Sequence, residues 1–567
     1  MTRVRTYLGV LGVGVFLVCL ALWPLAARAA DGAQAGAKAT DGAQVGAKAT
    51  DGGQVKVETP LGPVAGVAKG EVSVFLGLPF AKPPVGDLRF APPQNAEPWT
   101  APREALKPGP MCSQIPMDLF QSSVASNHAF PGYSEDCLNL NVWTPVGAKK
   151  GDNLPVYVFI HGGGFGLGAG SQAMYDGSAL AKEGLVVVTF NYRLGALGFF
   201  ASQETLKQYD TTGNWGILDQ IKALEWVRDN VSAFGGDPAK VTVGGESAGS
   251  FSVAGLILSP RAQGLFRSAI MESGTIFGVE SFLFARGKLD LALKTNSVLA
   301  SAFGAADDPE GLAKLRKADA NLLTRLSPFG FDFTKPVFLG MSPIKDGKVI
   351  PTDPLGALAE GHGQKVKVLM GFNGDEGTLF VPAPEGSKDD QVYKDAVFLL
   401  LGAEGAKAFW ERFPVDKNND IVARTRQVIG YAFMSSTMKR FADLHAQFDD
   451  VYFYRFDYVT QAMAKLGLGA AHASELAYVF DFKMPMVNFG EKEQKLSDEM
   501  RLRWVNFIKN GDPNVGSAPP TKIDWPKYDP QNPQAIVFNE TVTAGPFPDL
   551  ENLDFMTDLV FGPLPRK

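Results

Sequence analysis

Cysteine and histidine are both scarce in this chain: 567 residues contain three of the first and five of the second. So few cysteines exclude a disulfide-stapled scaffold, and the histidines show no clustered spacing with carboxylates of the kind that holds a catalytic metal. Positive charge is also short, with 54 Lys and Arg against 60 Asp and Glu and a net charge of -6. That balance offers no basic footprint for nucleic acid and no polybasic stretch for anionic membranes, which leaves a small neutral or apolar partner. Hydrophobic residues are plentiful at 45%, enough to bury the core of a large enzyme domain.

The N-terminus reads separately from the rest. Arg3 and Arg5 precede an apolar run from Tyr7 to Leu25, and Ala27-Arg28-Ala29 offers a small-x-small cleavage site, so residues 1–29 are expected to be a secretory signal peptide. The competing reading is an uncleaved anchor, which Gly9, Gly12, Gly14 and Pro24 weaken as a spanning helix. No stable membrane insertion is expected after the signal is removed, and the product is expected to be secreted or periplasmic. Removal also takes Cys19, leaving Cys112 and Cys137 as an even pair in an oxidising compartment. A disulfide between them is the expectation, against two buried free thiols, and it would stabilise by about 3 kcal/mol, mainly by restricting the unfolded chain.

Residues 30–54 repeat a small, polar unit, Asp31-Gly-Ala-Gln-Ala-Gly-Ala-Lys-Ala-Thr40 and then Asp41 to Thr50. Such a composition cannot build a core and reads as a tether. From Val55 to about residue 563 one large domain is expected. Short β-branched runs at Val156–Ile160, Leu185–Phe190, Val241–Val243 and Val366–Met370 are nearly continuous in apolar character, as buried strands of a mostly parallel sheet are. Amphipathic segments separate them, such as Gly216 to Asn230 with Ile217, Ile221, Leu224 and Val227 on one face. The pattern predicts an α/β fold with a central sheet flanked by helices. Helical patterns around 280–335 and 380–470 are expected to cap the carboxyl edge of that sheet, where α/β folds bind ligands.

Gly245-Glu246-Ser247-Ala248-Gly249 follows the strand at Val241 and precedes a helix-compatible segment near Phe251. That context is the one a nucleophile elbow requires, with the serine oxygen above the sheet and a helix N-terminus behind it. The strand at Val156 runs into His161-Gly162-Gly163-Gly164-Phe165, whose exposed N–H groups suit an oxyanion. Gly163 and Gly164, with Ala248, are the candidate donors, each worth about 3 kcal/mol in a transition state. Without Ser247 the same glycines would read only as a flexible turn.

Taken with Ser134-Glu-Asp-Cys-Leu-Asn-Leu-Asn141, Asn191-Tyr-Arg-Leu-Gly-Ala-Leu-Gly-Phe199, Gly213-Asn-Trp-Gly-Ile-Leu-Asp-Gln220 and Phe234-Gly-Gly-Asp-Pro238, these motifs resemble the type-B carboxylesterases. The family includes cholinesterases and bacterial para-nitrobenzyl esterases, and the resemblance runs from about residue 55 to 560. It implies the α/β-hydrolase fold and serine-dependent hydrolysis of small-molecule carboxylic esters through an acyl-enzyme, with no cofactor and no metal. It implies Glu376 as the acid, with the adjacent Asp375 as competitor, and His472 as the base, giving the order serine, acid, histidine that this fold uses. It also implies Ser273 and Glu475 as polar support behind the triad, and Arg89 with Glu135 and Arg193 with Asp219 as buried ion pairs.

One departure bears on substrate. Residues 113–136 contain no tryptophan, whereas cholinesterases carry one there for cation-π contact, so choline esters are disfavoured. Phe120 and Phe130 offer a weaker aromatic face as the alternative, but the plainer reading of both is apolar packing. A lipase acting on longer acyl chains is the main alternative, with the loop as a lid. A non-catalytic adhesion-type member is disfavoured because Ser247, Glu376 and His472 are all present and no anchoring tail follows the domain. Oligomeric state is not legible.

Overall fold

Residues whose side chains are apolar without interruption have nowhere to go but between two layers, and the runs singled out above form the middle of a 13-stranded sheet. The computed structural model describes residues 52–116, 128–279, 287–326, 341–381, 390–415, 420–483 and 489–564. The expected signal peptide, most of the tether, Phe120 and parts of the expected cap lie outside them.

The main strands are β1 (Gln54–Thr59), β2 (Gly62–Lys69), β3 (Val72–Pro79), β4 (Asn139–Pro145), β5 (Leu154–Ile160), β6 (Val186–Phe190), β7 (Gly236–Glu246), β8 (Ser268–Glu272), β9 (Lys367–Asn373), β10 (Val451–Phe456), β11 (Gln534–Phe538) and β12 (Thr543–Pro546). Their order is β1-β2-β3-β4-β6-β5-β7-β8-β9-β10-β11-β12. From β6 to β11 every neighbouring pair is parallel, with registers such as Val158↔Val188 and Met271↔Met370. The pairs at both ends are antiparallel.

Alternation along the strands sorts side chains between two cores. On β5, Val156, Val158 and Ile160 enter one core and Tyr157 and Phe159 the other; on β9, Val368, Met370 and Phe372 enter the first and Leu369 the second. The first core is closed by α1 (Trp215–Asn230) and α2 (Ala248–Leu258). Ile217, Ile221, Leu224 and Val227 of α1 all lie in it, as their spacing predicts. Each such side chain stabilises the fold by about 1.5–3 kcal/mol through removal from water.

The segment 380–470 contains helices, α3 (Ile421–Gly430) and α4 (Ser436–His445), but also strand β10. Met438 and Phe441 of α4 pack with Val368 and Phe453 in the first core, so this helix packs on a face of the sheet. The second core is closed by α5 (Glu491–Asn510), whose Leu496, Met500, Trp504 and Ile508 repeat at four-residue spacing and are buried. Parallel strands leave their carboxyl ends at one edge, and Glu246, Glu272 and Asn373 terminate three neighbouring strands there. Ligand sites in α/β sheets sit at this edge.

Candidate active site

Between β7 and α2 a single residue, Ser247, carries the reversal of the chain. Its φ of 55° and ψ of -123° are left-handed for a residue with a side chain, a conformation that costs on the order of 1–3 kcal/mol and persists only where the surroundings enforce it. The flanking glycines work by making room. A Cβ on Gly249 would lie 2.0 Å from the carbonyl oxygen of Ile160, and one on Gly245 would lie 2.5 Å from the backbone of Gly249. The backbone N–H of Ser247 donates to Glu272 O at 2.9 Å, which pins the turn to β8. From Val241 to Ser250, Ser247 is the one residue that is not buried.

The loop after β10 and the turn after β9 meet beside this elbow. His472 Nδ1 lies 2.6 Å from Glu376 Oε2. The other oxygen of Glu376 accepts from Ser273 Oγ at 2.6 Å and from the Asn373 N–H at 2.7 Å, so its carboxylate is held on both sides. Asp375 instead accepts the N–H of Ala470 at 2.9 Å and its backbone bridges Ala471. The structure therefore brings Glu376, and not Asp375, onto the imidazole, while Asp375 fixes the loop that presents it. Glu475 is reached through Asn373, whose Nδ2 donates to Glu475 Oε2 at 2.5 Å. Ser273 and Ala473 share the left-handed backbone of Ser247, at φ 63° and 65°, so strain gathers around this cluster.

An ionised carboxylate only accepts hydrogen bonds, so the contact with Glu376 places the ring proton on Nδ1 and leaves Nε2 as the lone-pair nitrogen of a neutral ring. Nε2 is buried and makes no hydrogen bond, although it lies 3.1 Å from Glu246 Oε1. A negative carboxylate at that separation stabilises the protonated ring. Glu246 is pushed up to about 8, first by burial and then by Glu475 and Glu376, against the opposing charge of His472. Burial lowers His472, but Glu246, Glu376 and Glu475 outweigh it and raise the ring to about 9. Glu246 was passed over in the sequence because its position inside the elbow motif accepts any residue. A buried acidic residue beside a serine at a strand end was the available signal.

The turn after β5 runs alongside. Gly163 and Gly164 have φ of 107° and 59°, and Gly163 O accepts from the N–H groups of Gly166 at 3.1 Å and Leu167 at 3.0 Å. A Cβ on Gly162 would lie 3.1 Å from Ser247 Cβ, so turn and elbow are in contact. Among the described residues, the N–H groups of Gly163 and Gly164 have no acceptor. His161, buried and stacked on Tyr192 at 4.4 Å, is lowered to about 4 by burial and stays neutral; it shapes the turn.

Cys112 and Cys137 are bonded, with Cα atoms 4.9 Å apart. Both expected ion pairs form. Arg193 reaches Asp219 through Nε and Nη2 at 2.8 Å each, and Arg89 reaches Glu135 through Nε at 2.7 Å. Phe130 packs edge-on against Tyr133 at 4.9 Å, beside Met111 and Ala169, in keeping with a packing role. Among the described residues no helix is long and apolar enough to cross a membrane.

A sequence profile described as "Carboxylesterase family" matches residues 53–556. The fumonisin B1 esterase of Sphingopyxis macrogoltabida is 35% identical over 504 residues, covering 86% of this chain and 87% of that protein. The para-nitrobenzyl esterase of Bacillus subtilis (strain 168) is 34% identical over 508 residues, covering 87% and 97%. Among solved structures, a PNB esterase superposes with a TM-score of 0.75 at 32% identity over 89% of this chain and 99% of its own. A carboxylesterase of Geobacillus stearothermophilus superposes with the same TM-score and identity over 88% and 99%.

Proposed function

Because the chain belongs to the carboxylesterase family and is a serine-dependent carboxylic ester hydrolase of the α/β-hydrolase fold, we propose that Ser247 is its nucleophile, His472 its general base and Glu376 the acid that orients the base. The observation that carries this reading is the imidazole itself: bonded to Glu376 through Nδ1, with Nε2 free of any hydrogen bond and 3.1 Å from Glu246 Oε1, at the strand end that bears the strained, half-buried Ser247.

In this mechanism Nε2 of His472 takes the Ser247 proton as the oxygen attacks the ester carbonyl. The carbonyl oxygen becomes an oxyanion, held by the N–H groups of Gly163, Gly164 and Ala248. His472 then gives its proton to the departing alcohol, and an acyl-Ser247 ester remains. Water, deprotonated by the same ring, releases the carboxylic acid. Glu376 keeps the ring in the required tautomer and favours the transient imidazolium. Ser273 and Asn373 hold Glu376 in turn.

Small esters are the substrate class. The relatives' names span fumonisin B1, para-nitrobenzyl, fatty acyl-CoA and acylcarnitine substrates, so acyl preference is left to the walls of the pocket. We assign residues 55–563 to one catalytic domain, 1–29 to an export signal and 30–54 to a tether, with the enzyme working outside the cytoplasm, where the disulfide persists. An organophosphate is expected to label the wild-type protein stoichiometrically at Ser247; label on another residue overturns the assignment. A series of aryl esters of increasing acyl length then separates an esterase, with a short-chain optimum, from a lipase.

The carboxylates around His472 set its pH response. They raise the ring above the 6.5 of free imidazole, and only the neutral ring can accept the Ser247 proton, so kcat/KM rises with pH through a limb above that value. In Glu246→Gln one raising charge is gone. The limb is expected to move to lower pH, and an unmoved limb in the kcat/KM profile would refute the coupling.

A further inference from the structure

The oxyanion turn is held from outside by a side chain that no motif above includes. Gln114 lies two residues beyond Cys112 and is 3% exposed. Its amide forms a reciprocal pair with Gly168: Nε2 donates to Gly168 O at 2.9 Å and the Gly168 N–H donates to Oε1 at 2.9 Å. Nε2 also donates to Cys112 O at 3.0 Å, so both donors and one acceptor site of the amide are engaged.

Gly168 is the base of the turn that begins at His161. It has φ of 104°, and a Cβ there would lie 2.5 Å from His161 Nδ1 and 2.6 Å from Gly162 O. The two ends of the turn are thus in van der Waals contact, with Gly163 and Gly164 between them. Movement of Gly168 has no slack to absorb it before it reaches the two glycines. The next residues are held by side chains as well: Ala169 N–H donates to Gln172 Oε1 at 3.1 Å and Gly170 N–H to Asn191 Oδ1 at 2.9 Å. Asn191 Nδ2 in turn donates to Pro110 O at 3.0 Å and Cys137 O at 3.2 Å. Both halves of the disulfide therefore hold the segment that anchors the turn.

We propose that Gln114 is a positioning residue for ester hydrolysis, fixing through Gly168 the N–H groups of Gly163 and Gly164 at the place where the oxyanion forms, with the Cys112–Cys137 disulfide holding Gln114 itself. The inference rests on the reading of those glycines as oxyanion donors. Small misplacement of such donors is felt in the transition state more than in substrate binding.

The test is Gln114→Ala with Gln114→Glu beside it, each normalised by active-site titration of Ser247. Gln114→Ala is expected to lower kcat about 10- to 100-fold with KM within about threefold. Affinity for a trifluoromethyl ketone, whose serine adduct carries an oxyanion, should fall by the same factor as kcat/KM, while affinity for the product alcohol stays unchanged. Gln114→Glu keeps the shape, but only its protonated form can both donate to Gly168 O and accept from Gly168 N. Its kcat relative to wild type at the same pH should therefore rise as pH falls from about 8 to 5.5. Wild-type kcat per titrated site in Gln114→Ala, or equal loss of ketone and alcohol affinity, overturns the proposal. If Gln114→Ala does not fold, a pH-independent ratio for Gln114→Glu overturns it alone. Failure of the oxyanion reading gives a different pattern, with kcat and ketone affinity insensitive even to direct displacement of the turn by Gly163→Ala.

Discussion

Ser247→Ala is expected to abolish ester turnover, with kcat falling on the order of 10⁵- to 10⁶-fold, while the protein keeps its fold and its thermal transition. The fold should survive because Ser247 makes its structural contribution through the backbone: its N–H bonds Glu272 O and its carbonyl accepts from Phe251 N–H at 2.9 Å. Alanine retains both and tolerates the left-handed turn no worse than serine. Residual catalysis would come from the oxyanion donors acting on bound ester and water. The comparison requires kcat from p-nitrophenyl acetate with circular dichroism on the same sample. A folded Ser247→Ala enzyme that turns over at the wild-type rate would remove the nucleophile from the mechanism.

The second large effect separates two neighbours in sequence. Glu376→Gln should lower kcat about 10⁴-fold, because an amide facing His472 Nδ1 can present its N–H₂ and turn the ring to the wrong tautomer. Asp375→Asn should cost less than about tenfold in kcat, since asparagine keeps an oxygen to accept the Ala470 N–H and the residue does not touch the ring. Steady-state kinetics on the two variants with one aryl ester decides between them. The reverse ranking would transfer the acid's role to Asp375.

Much of this site was legible because each motif sits where the chain changes structure. A buried strand, a serine between glycines and a helix start give the elbow without knowledge of anything distant. The glycine turn proposed to hold the oxyanion announces itself after a strand in the same way. His472 and Glu376 have no such local mark; 96 residues separate them, and only family resemblance selected them. Glu246, Asn373 and Gln114 were missed for a related reason. Their roles are set by which strands lie side by side, and a 13-stranded order with β5 inserted between β6 and β7 does not follow from any one segment. Strand β10 went unread because Arg455 and the surrounding helical patterns blurred it. Its alternation of Val451 and Phe453 against Tyr452 and Tyr454 becomes meaningful only once both faces of the sheet are covered.

Ser247, Ser273 and Ala473 hold conformations that a relaxed peptide avoids, at the end of one strand, in the residue whose hydroxyl bonds Glu376, and in the residue that follows His472. Evolution or engineering toward a hardier protein would find its easiest gains in easing those three residues, and each such gain would dull the reaction. Heat resistance in this scaffold is better won at a distance, in the described outer strands and surface helices, away from the imidazole.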